Sequence, residues 1–196
     1  MPELKRPSIV GLGGTPNPDS STEQALGLAL AAAQGAGAET RLFGGAFLAR
    51  LPHYLTAPPT GEAQDFVAAI RAADGVIIAS PGYHGSISGL VKNAIDYLEE
   101  TARDRRVYLD GVPVGLVTTA YGWQATASTL ATLRTIVHAL RGWPTPLGAA
   151  INSSGGIFKD GGCSDAAATN QLQLVGRQVV EFARLRIQDP SVTETG

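Results

Sequence analysis

The sequence predicts a doubly wound α/β fold, in which a five-stranded parallel sheet carries helices on both faces. Two observations support this prediction. Five short apolar runs alternate with five helical patterns along the 196 residues, as in sheets whose parallel strands are joined by crossover helices. The run Gly75-Val76-Ile77-Ile78-Ala79-Ser80 is apolar almost throughout, which is typical of a strand that is buried on both faces.

The individual elements follow in a regular order. Strands are predicted at residues 8–13, 39–43, 75–80, 112–119 and 145–151. Helices are predicted where apolar residues recur every three or four positions, at residues 21–34, 62–73, 89–100, 128–140 and 165–187. Residues 44–61 contain Pro52, Pro58 and Pro59, and they are predicted to form a loop. We expect one domain over residues 1–196, with frayed ends at residues 1–7 and 188–196.

Composition argues against several classes of protein. Lys and Arg together number 15 and Asp and Glu number 17, and this near balance indicates neither a nucleic-acid nor an anionic-membrane partner. A lone cysteine, Cys163, excludes an internal disulfide and a multi-cysteine zinc site, and no metal is expected. The apolar run that starts at Ile9 is too short for a signal peptide or a membrane helix, which predicts a cytoplasmic protein.

Glycine is unusually frequent, and its distribution points to a binding site. The chain has 24 glycines among its 196 residues, which is well above the usual share of about 7%. Six of them lie in three strand-to-helix turns, at residues 13–22, 80–89 and 119–123. Glycine lets the backbone approach a flat ligand closely, and the carboxyl ends of parallel strands meet at one edge of the sheet. The three turns therefore predict a ligand site at that edge.

The first turn combines small hydroxyl residues with the start of a helix. A helix N-terminus offers unpaired N–H groups and about half a positive charge, which suits a phosphate. An ordinary helix cap, predicted at Ser21 or Thr22, explains the same residues equally well. Two better-known phosphate motifs are excluded, because the chain has no Gly-Lys pair and because Pro16 replaces the third glycine of a dinucleotide fingerprint.

The second and third turns are rich in glycine and aromatic residues. Tyr83 and His84 follow the third strand, where they can pack against a ligand or donate hydrogen bonds to it. A turn held by Pro81 and Gly82, with an aromatic plug, is the simpler alternative, and we favour it over a catalytic His84. The third turn reads Thr119-Ala120-Tyr121-Gly122-Trp123 and has the same character.

The stretch from Ser80 to Tyr97 carries a family resemblance. Its sequence, SPGYHGSISGLVKNAIDY, joins a Pro-x-Tyr loop and a Gly-Ser step to a helix of Leu-x-Lys-Asn-Ala-Ile-Asp and an aromatic residue. It resembles the NAD(P)H-dependent FMN reductase family of flavodoxin-like proteins, and the similarity extends over roughly residues 8–187. The resemblance implies a flavodoxin-like three-layer fold with strand order 2-1-3-4-5 and FMN at the switch point between the first and third strands.

The resemblance also implies an activity and an assembly. The implied protein is an FMN-dependent NAD(P)H oxidoreductase that passes hydride from NAD(P)H to FMN and on to free flavin, a quinone or another small acceptor. A non-catalytic FMN-binding electron carrier is the alternative, and a domain that has lost its flavin is a third. The cofactor carries the chemistry, so no catalytic side chain is expected. The family further implies a homodimer or homotetramer, with the helix at residues 89–100 near the interface.

Carried over to this chain, the family's site consists of three groups of residues. The FMN phosphate would lie among Thr15, Asn17, Ser20, Ser21 and Thr22. The isoalloxazine ring would contact Pro81, Gly82, Tyr83, His84, Gly85 and Ser86. The other polar edge of the ring would face Thr119, Ala120, Tyr121 and Gly122. Many members have an Arg in the first turn where this chain has Pro16 and Asn17, so the phosphate would depend on neutral donors here.

Three further features have structural explanations that we favour. Ser164 or Asp165 is predicted to cap the last helix, and Cys163 beside it is either reactive or incidental. Arg103, Arg105 and Arg106 are expected to form a solvated face rather than a site for an NADPH phosphate. Lys92 and Asp96 are four residues apart on one helix, which predicts an exposed or interfacial ion pair.

Overall fold

The structure is a computed structural model that describes residues 5–188. Its strands are β1 (Ser8–Gly13), β2 (Glu39–Phe43), β3 (Gly75–Tyr83), β4 (Ser86–Ile87), β5 (Pro113–Ala120), β6 (Trp143–Asn152), β7 (Phe158–Lys159) and β8 (Gly162–Cys163). Its α-helices are α1 (Ser21–Gly35), α2 (Gly45–Leu48), α3 (Glu62–Ala72), α4 (Gly89–Asp96), α5 (Trp123–Ala139) and α6 (Ala166–Gln188), and a 3₁₀ helix follows α4 at Tyr97–Thr101.

The five long strands form one parallel sheet, with the order β2-β1-β3-β5-β6. Counted among themselves, they have the order 2-1-3-4-5, which confirms the flavodoxin-like fold expected from the sequence. The order reverses at β1, where the chain crosses first to β2 and then back to β3 on the other side. The switch point therefore lies between the carboxyl ends of β1 and β3.

The sheet separates two hydrophobic layers. On β3, Val76 and Ile78 face a core built with α3, α4 and α5, whereas Ile77 and Ala79 face a core built with α1 and α6. All four side chains are completely buried, because a parallel sheet with helices on both faces has no solvent side. The predicted three-layer arrangement is thus present in the structure.

Helices α1 and α6 lie side by side on the same face of the sheet. A Cβ atom added to Gly176 would lie 2.1 Å from the carbonyl oxygen of Ala29 and 3.0 Å from the amide nitrogen of Ala33. The two backbones approach this closely because glycine and alanine meet at the crossing. Helix α6 therefore supports the middle of α1 directly.

Several element boundaries differ from the prediction. Strand β3 continues to Tyr83 because β4 pairs with its end, at Gly82↔Ile87 and Tyr83↔Ser86. The short helix α2 lies within the predicted loop at residues 44–61. Helix α5 begins five residues earlier than predicted, at Trp123, because its first turns contain Thr, Gln and Ala rather than a clear apolar stripe.

The hairpin of β7 and β8 was not predicted, although the sequence contains its signal. Asp160 and Gly161 connect the two strands, and both have positive φ, at 50° and 76°. An Asp-Gly pair between short strands is a common two-residue hairpin turn, because that turn requires positive φ at both positions. The dipeptide could therefore have identified this hairpin.

The ends of the chain are described in part. Residues 1–4 and 189–196 lie outside the described residues. They make up most of the two end segments, 1–7 and 188–196, for which fraying is predicted. Within the described range, Pro7 is buried, and its carbonyl accepts the N–H of Glu39 at 2.9 Å. No helix within residues 5–188 is both long enough and apolar enough to cross a bilayer.

Candidate functional site

A cleft of about 950 Å³ opens at the carboxyl ends of the parallel strands. Its walls come from the turns that follow β1, β3 and β5. Every predicted site residue lines this cleft except His84 and Ser86. The prediction missed five lining residues, which have no distinctive motif in the sequence: Asp19, Gln124, Ala125, Ser128 and Ser153.

The turn after β1 is organised by short hydrogen bonds within itself. Thr15 Oγ1 accepts the N–H of Asn17 at 3.2 Å, and Asn17 Oδ1 accepts the N–H of Asp19 at 3.2 Å. Ser20 Oγ caps α1 by accepting the N–H of Glu23 at 3.2 Å. These bonds leave the first amides of α1 facing the cleft, since helical N–H groups in the first turn have no partner within the helix.

Two glycines make room for the Glu23 carboxylate behind this turn, and a third, Gly45, lies against the backbone of Thr15. Glu23 Oε2 accepts the N–H of Gly45 at 2.7 Å. A Cβ atom on Gly14 or Gly44 would lie within 2.7 Å of a Glu23 carboxylate oxygen, and one on Gly45 would lie 1.8 Å from the carbonyl oxygen of Thr15. The carboxylate thus ties the first turn of α1 to the segment between β2 and α2, and side chains at these positions would prevent the contact.

The second turn is a tight β-hairpin formed by the end of β3 and by β4. Its two turn residues, His84 and Gly85, both have positive φ, at 50° and 84°, as a type I′ turn requires. At the base, Ser80 Oγ accepts the N–H of Ser88 at 3.0 Å. The carbonyl of Ser86, on β4, accepts a hydrogen bond from Thr129 Oγ1 of α5 at 3.3 Å. His84 and Ser86 are exposed on the hairpin and stand outside the cleft lining.

Gly82 brings the hairpin against α5. A Cβ atom at this position would lie 2.7 Å from Thr129 Oγ1 and 3.1 Å from the carbonyl oxygen of Ala125. Beyond it, Tyr83 is about half exposed at the rim of the cleft. The hairpin therefore presents backbone and an accessible aromatic ring to the cleft.

The third turn joins β5 to α5 and completes the cleft. Thr119 Oγ1 lies 2.6 Å from Thr22 Oγ1, and both side chains are buried. The carbonyl of Ala120 accepts the N–H of Ser153 at 2.8 Å, which connects this turn to the end of β6. Gly122 precedes α5 without a side-chain cap, and Tyr121 is 83% exposed. The N-terminus of a second helix, α5, therefore lies at this wall of the cleft.

The cleft carries little formal charge. Among its lining side chains within residues 5–188, Asp19 is acidic and none is basic. An anion here would depend on hydroxyls, on backbone amides and on the partial positive charge of the α1 N-terminus. That a phosphate is held here by neutral donors stays a prediction, and the absence of basic lining side chains within residues 5–188 is compatible with it.

The other sequence candidates have structural roles. The expectation of a solvated face was wrong for Arg106, which is half-buried and donates to the carbonyls of Ala73 and Ile70, both at 2.6 Å, so it stabilises the end of α3. Asp165 caps α6, because its Oδ1 accepts the N–H groups of Ala167 at 2.8 Å and Ala168 at 3.0 Å. The predicted pair also forms on the surface, with Lys92 Nζ at 2.5 Å from Asp96 Oδ1.

Known proteins resemble this chain in both sequence and structure. An FMN-dependent NADPH-azoreductase of Staphylococcus haemolyticus (strain JCSC1435) is 35% identical over 91 residues, which cover 46% of this chain and 45% of that protein. An FMN-dependent NADPH-azoreductase of Staphylococcus aureus (strain USA300) is 33% identical over 114 residues, 57% of each. This chain thus spans about half the length of the curated relatives it matches.

A solved structure extends the similarity of fold to most of the chain. FerB, a flavoenzyme NAD(P)H:(acceptor) oxidoreductase from Paracoccus denitrificans, superposes with a TM-score of 0.75 at 21% identity, covering 91% of this chain and 98% of that one. In addition, residues 7–156 match the family model described as NADPH-dependent FMN reductase. That range contains all three turns of the cleft, and the chain therefore belongs to the NADPH-dependent FMN reductase family.

Proposed function

We propose that the protein is an FMN-dependent NAD(P)H oxidoreductase, which takes hydride from NAD(P)H through FMN to a small acceptor. The observation that supports this most is the convergence of three turns on one cleft at the switch point of the sheet. One end of the cleft has the hydroxyls and free amides of α1. Its other walls are backbone and aromatic rings, which suit a flat ring system.

The residues present fit FMN. The cleft volume of about 950 Å³ lies near the upper end of the usual range for ligand pockets, roughly 300–1,000 Å³. The α1 N-terminus suits a phosphate, and the hairpin at Gly82 exposes polar backbone atoms that can hydrogen-bond a heterocycle. When bound, the flavin supplies the ring that accepts and releases hydride.

In this proposal the protein binds and orients the cofactor. Thr15, Asn17, Ser20, Ser21 and Thr22 hold the phosphate through hydroxyls and backbone amides. Pro81, Gly82, Tyr83 and Gly85 contact the ring, and Thr119, Ala120, Tyr121 and Gly122 offer donors to its other polar edge. His84 and Ser86 are left out of this set because they stand outside the cleft lining.

The acceptor site would lie beside the exposed aromatic residues of the rim. Tyr83, Tyr121 and Trp123 are at least half exposed, and such rings stack well on planar molecules. Free flavins and quinones are therefore acceptors to test. Azo compounds join them, because the two staphylococcal relatives are named as azoreductases.

We further propose a homodimer or homotetramer, with the surface of α4 near the interface, and a cytoplasmic location. The assembly is supported by the family resemblance of the segment that contains α4. Analytical ultracentrifugation of the purified protein, with and without FMN, tests it. A monomer at all concentrations would contradict this part of the proposal.

The decisive experiment measures FMN binding and NAD(P)H oxidation by the purified protein. We expect a flavin absorption spectrum after addition of FMN, and oxidation of NADPH or NADH when an acceptor is present. Replacing Ser21 with Ala should weaken FMN binding by roughly tenfold to a hundredfold, because a hydrogen bond to a charged group contributes about 1.5–3 kcal/mol. Ser154→Ala, at an exposed position outside the cleft, is the matched control.

The outcomes separate the competing functions. No bound flavin at micromolar concentrations together with no pyridine-nucleotide oxidation would overturn the proposal and favour a domain without flavin. Tight FMN binding that weakens in Ser21→Ala, but without NAD(P)H oxidation, would favour a non-catalytic electron carrier. FMN binding with turnover supports the oxidoreductase.

A further inference from the structure

A second cavity, of about 430 Å³, lies at the edge of the sheet opposite the cleft. It is bounded by the first residues of β5 and β6 and by the last turns of α6. From Pro113 to Ala120, β5 runs about 23 Å between the two sites at roughly 3.3 Å per residue. The cavity is therefore separate from the cofactor cleft, and its occupancy does not depend on the function proposed above.

The walls of this cavity are mostly apolar, and their polar side chains are Arg186 and Thr145, whose hydroxyl donates to the carbonyl of Leu147. The lining includes Trp143, Pro144, Pro146, Phe182, Leu185 and Arg186. Trp143 is 66% exposed and Leu185 is 57% exposed. Exposed large apolar residues beside a concave surface are a common sign of a binding site.

The guanidinium of Arg186 has no partner among the described residues. Its Nε is buried and makes no hydrogen bond, and no ion pair of Arg186 occurs within residues 5–188. A Cβ atom at Gly111 would lie 3.3 Å from this Nε, so the guanidinium rests against the backbone there. Shielding a donor without a partner costs free energy, and an anion beside the guanidinium would offset part of that cost.

The neighbouring charges make the region more positive. Burial, and after it the charge of Arg186, lowers the pKa of Arg106. Asp74 and Asp104 act on the pKa of Arg106 in the opposite direction, but these two carboxylates pair with Lys5 and Arg71 and not with Arg186. An anion that enters the cavity would therefore meet the positive charge of Arg186, which forms no ion pair within residues 5–188.

The shape of the cavity favours a small molecule over an added protein strand. Strand β6 lies at the edge of the sheet, where a partner strand would have to pair. Pro144 and Pro146 have no N–H to donate, and proline at an edge opposes such pairing. The volume of about 430 Å³ lies within the range of small-molecule pockets, roughly 300–1,000 Å³.

We propose that this cavity binds a small aromatic monocarboxylate. The ring lies against Trp143, Phe182 and the two prolines, and the carboxylate pairs with the guanidinium of Arg186. An aromatic body matches the walls, and a single carboxylate matches the single cation. Arg and carboxylate groups form charge-assisted hydrogen bonds of planar geometry.

The test uses 2-naphthoate as the probe and isothermal titration calorimetry of the full chain. We expect saturable binding that is about tenfold weaker in Arg186→Gln, since loss of a charge-assisted pair of about 1.4 kcal/mol changes the affinity tenfold. Arg177→Gln, on the exposed face of the same helix, should bind like the wild type. The neutral probe 2-naphthamide should bind about as weakly as 2-naphthoate binds to Arg186→Gln.

Further measurements guard against misfolding and against binding in the cofactor cleft. Trp143→Ala alters an exposed residue and should weaken binding without lowering the melting temperature. Saturating FMN should leave naphthoate binding unchanged. Equal affinity in Arg186→Gln and wild type, or loss of binding upon addition of FMN, would overturn the proposal. Binding seen only in a chain that ends at Gln188 would also overturn it, since the rest of the chain would then exclude the probe.

Discussion

The hydroxyl oxygens of Thr22 and Thr119 lie 2.6 Å apart, 97 positions from each other in the sequence. Thr22 is in the first turn of α1, and Thr119 is near the end of β5. One hydroxyl donates to the other, so the accepting threonine keeps its own proton for a further bond. Both residues line the cleft, and their bond connects the wall proposed for the phosphate to the wall proposed for the ring.

The first prediction concerns the strength of this bond. Thr22→Val and Thr119→Val should each lower the free energy of unfolding by about 1–2 kcal/mol, because each leaves a buried hydroxyl without its partner. The double variant should lose less than the sum of the two, since no unpaired hydroxyl remains. Urea unfolding of all four proteins checks this. Thr135→Val, at an exposed site of α5, should change stability by less than about 0.5 kcal/mol.

The second prediction concerns the close approach of β1 and β3 beside the cleft. A Cβ atom on Gly13 would lie 2.1 Å from the carbonyl oxygen of Ala79, and its φ is 150°. Gly13→Ala should therefore destabilise the protein by about 2–4 kcal/mol through strain and steric overlap. Gly27→Ala is the matched control, because a Cβ atom there meets nothing within 4 Å. In the helix it should stabilise by about 0.5–1 kcal/mol, and destabilisation by both changes would contradict this account.

The third prediction concerns the charged residue of the cleft. If the phosphate binds at the α1 N-terminus, Asp19 repels it, because both are negative. Asp19→Asn should tighten FMN binding about two- to fivefold, as expected for removing a partly exposed like charge worth about 0.5–1 kcal/mol. The difference should shrink as salt is added. Fluorescence titration measures it, and Asp65→Asn on the exposed face of α3 should leave the affinity as it is in wild type.

The fourth prediction concerns stability at alkaline pH. Burial, and after it the hydrogen bond from the Tyr54 hydroxyl to Glu100 Oε1 at 2.9 Å, raises the pKa of Tyr54 from 10.0 to about 12. Between these values the unfolded chain loses the phenolic proton while the folded chain keeps it. The stabilisation from Tyr54 is thus complete below pH 10 and is lost as the pH rises to about 12.

The raised pKa of Tyr54 can be tested by measuring unfolding at alkaline pH. Tyr54→Phe removes the titrating group, so its free energy of unfolding should fall less steeply than that of wild type between pH 10 and about pH 12. Glu100→Gln removes the charge that favours the protonated phenol, and it should shift the most alkaline tyrosinate transition to lower pH. Identical pH slopes in Tyr54→Phe and wild type would contradict the assignment.

Most of the framework was predictable because it depends on patterns that are local in sequence. The apolar run at Gly75–Ser80 became the buried part of β3, and the Ser-rich turn became the start of α1, although its cap is Ser20 and not the predicted Ser21 or Thr22. The three glycine-rich turns meet at one cleft because the carboxyl ends of parallel strands share an edge of the sheet. That topological fact predicted where the candidate site lies, whereas its residues were predicted from the family resemblance.

What could not be predicted depends on contacts between distant residues. The pairing of β4 with the end of β3 converts a glycine-rich turn into a hairpin, which leaves His84 exposed on it. The bond between Thr22 and Thr119 and the contact from Glu23 to Gly45 need the folded chain. Ser153 follows the end of β6 and lines the cleft, and no motif in the surrounding sequence predicts that position.

The contact of Gly176 with Ala29 controls the width of the cleft. Helix α6 begins after the part of the chain that matches the family model, yet it sets the position of α1 from behind. A larger residue at 176 would push α1 away from β5 and would draw Thr22 away from Thr119. The spacing between the two walls is thus fixed by a residue that lines neither of them.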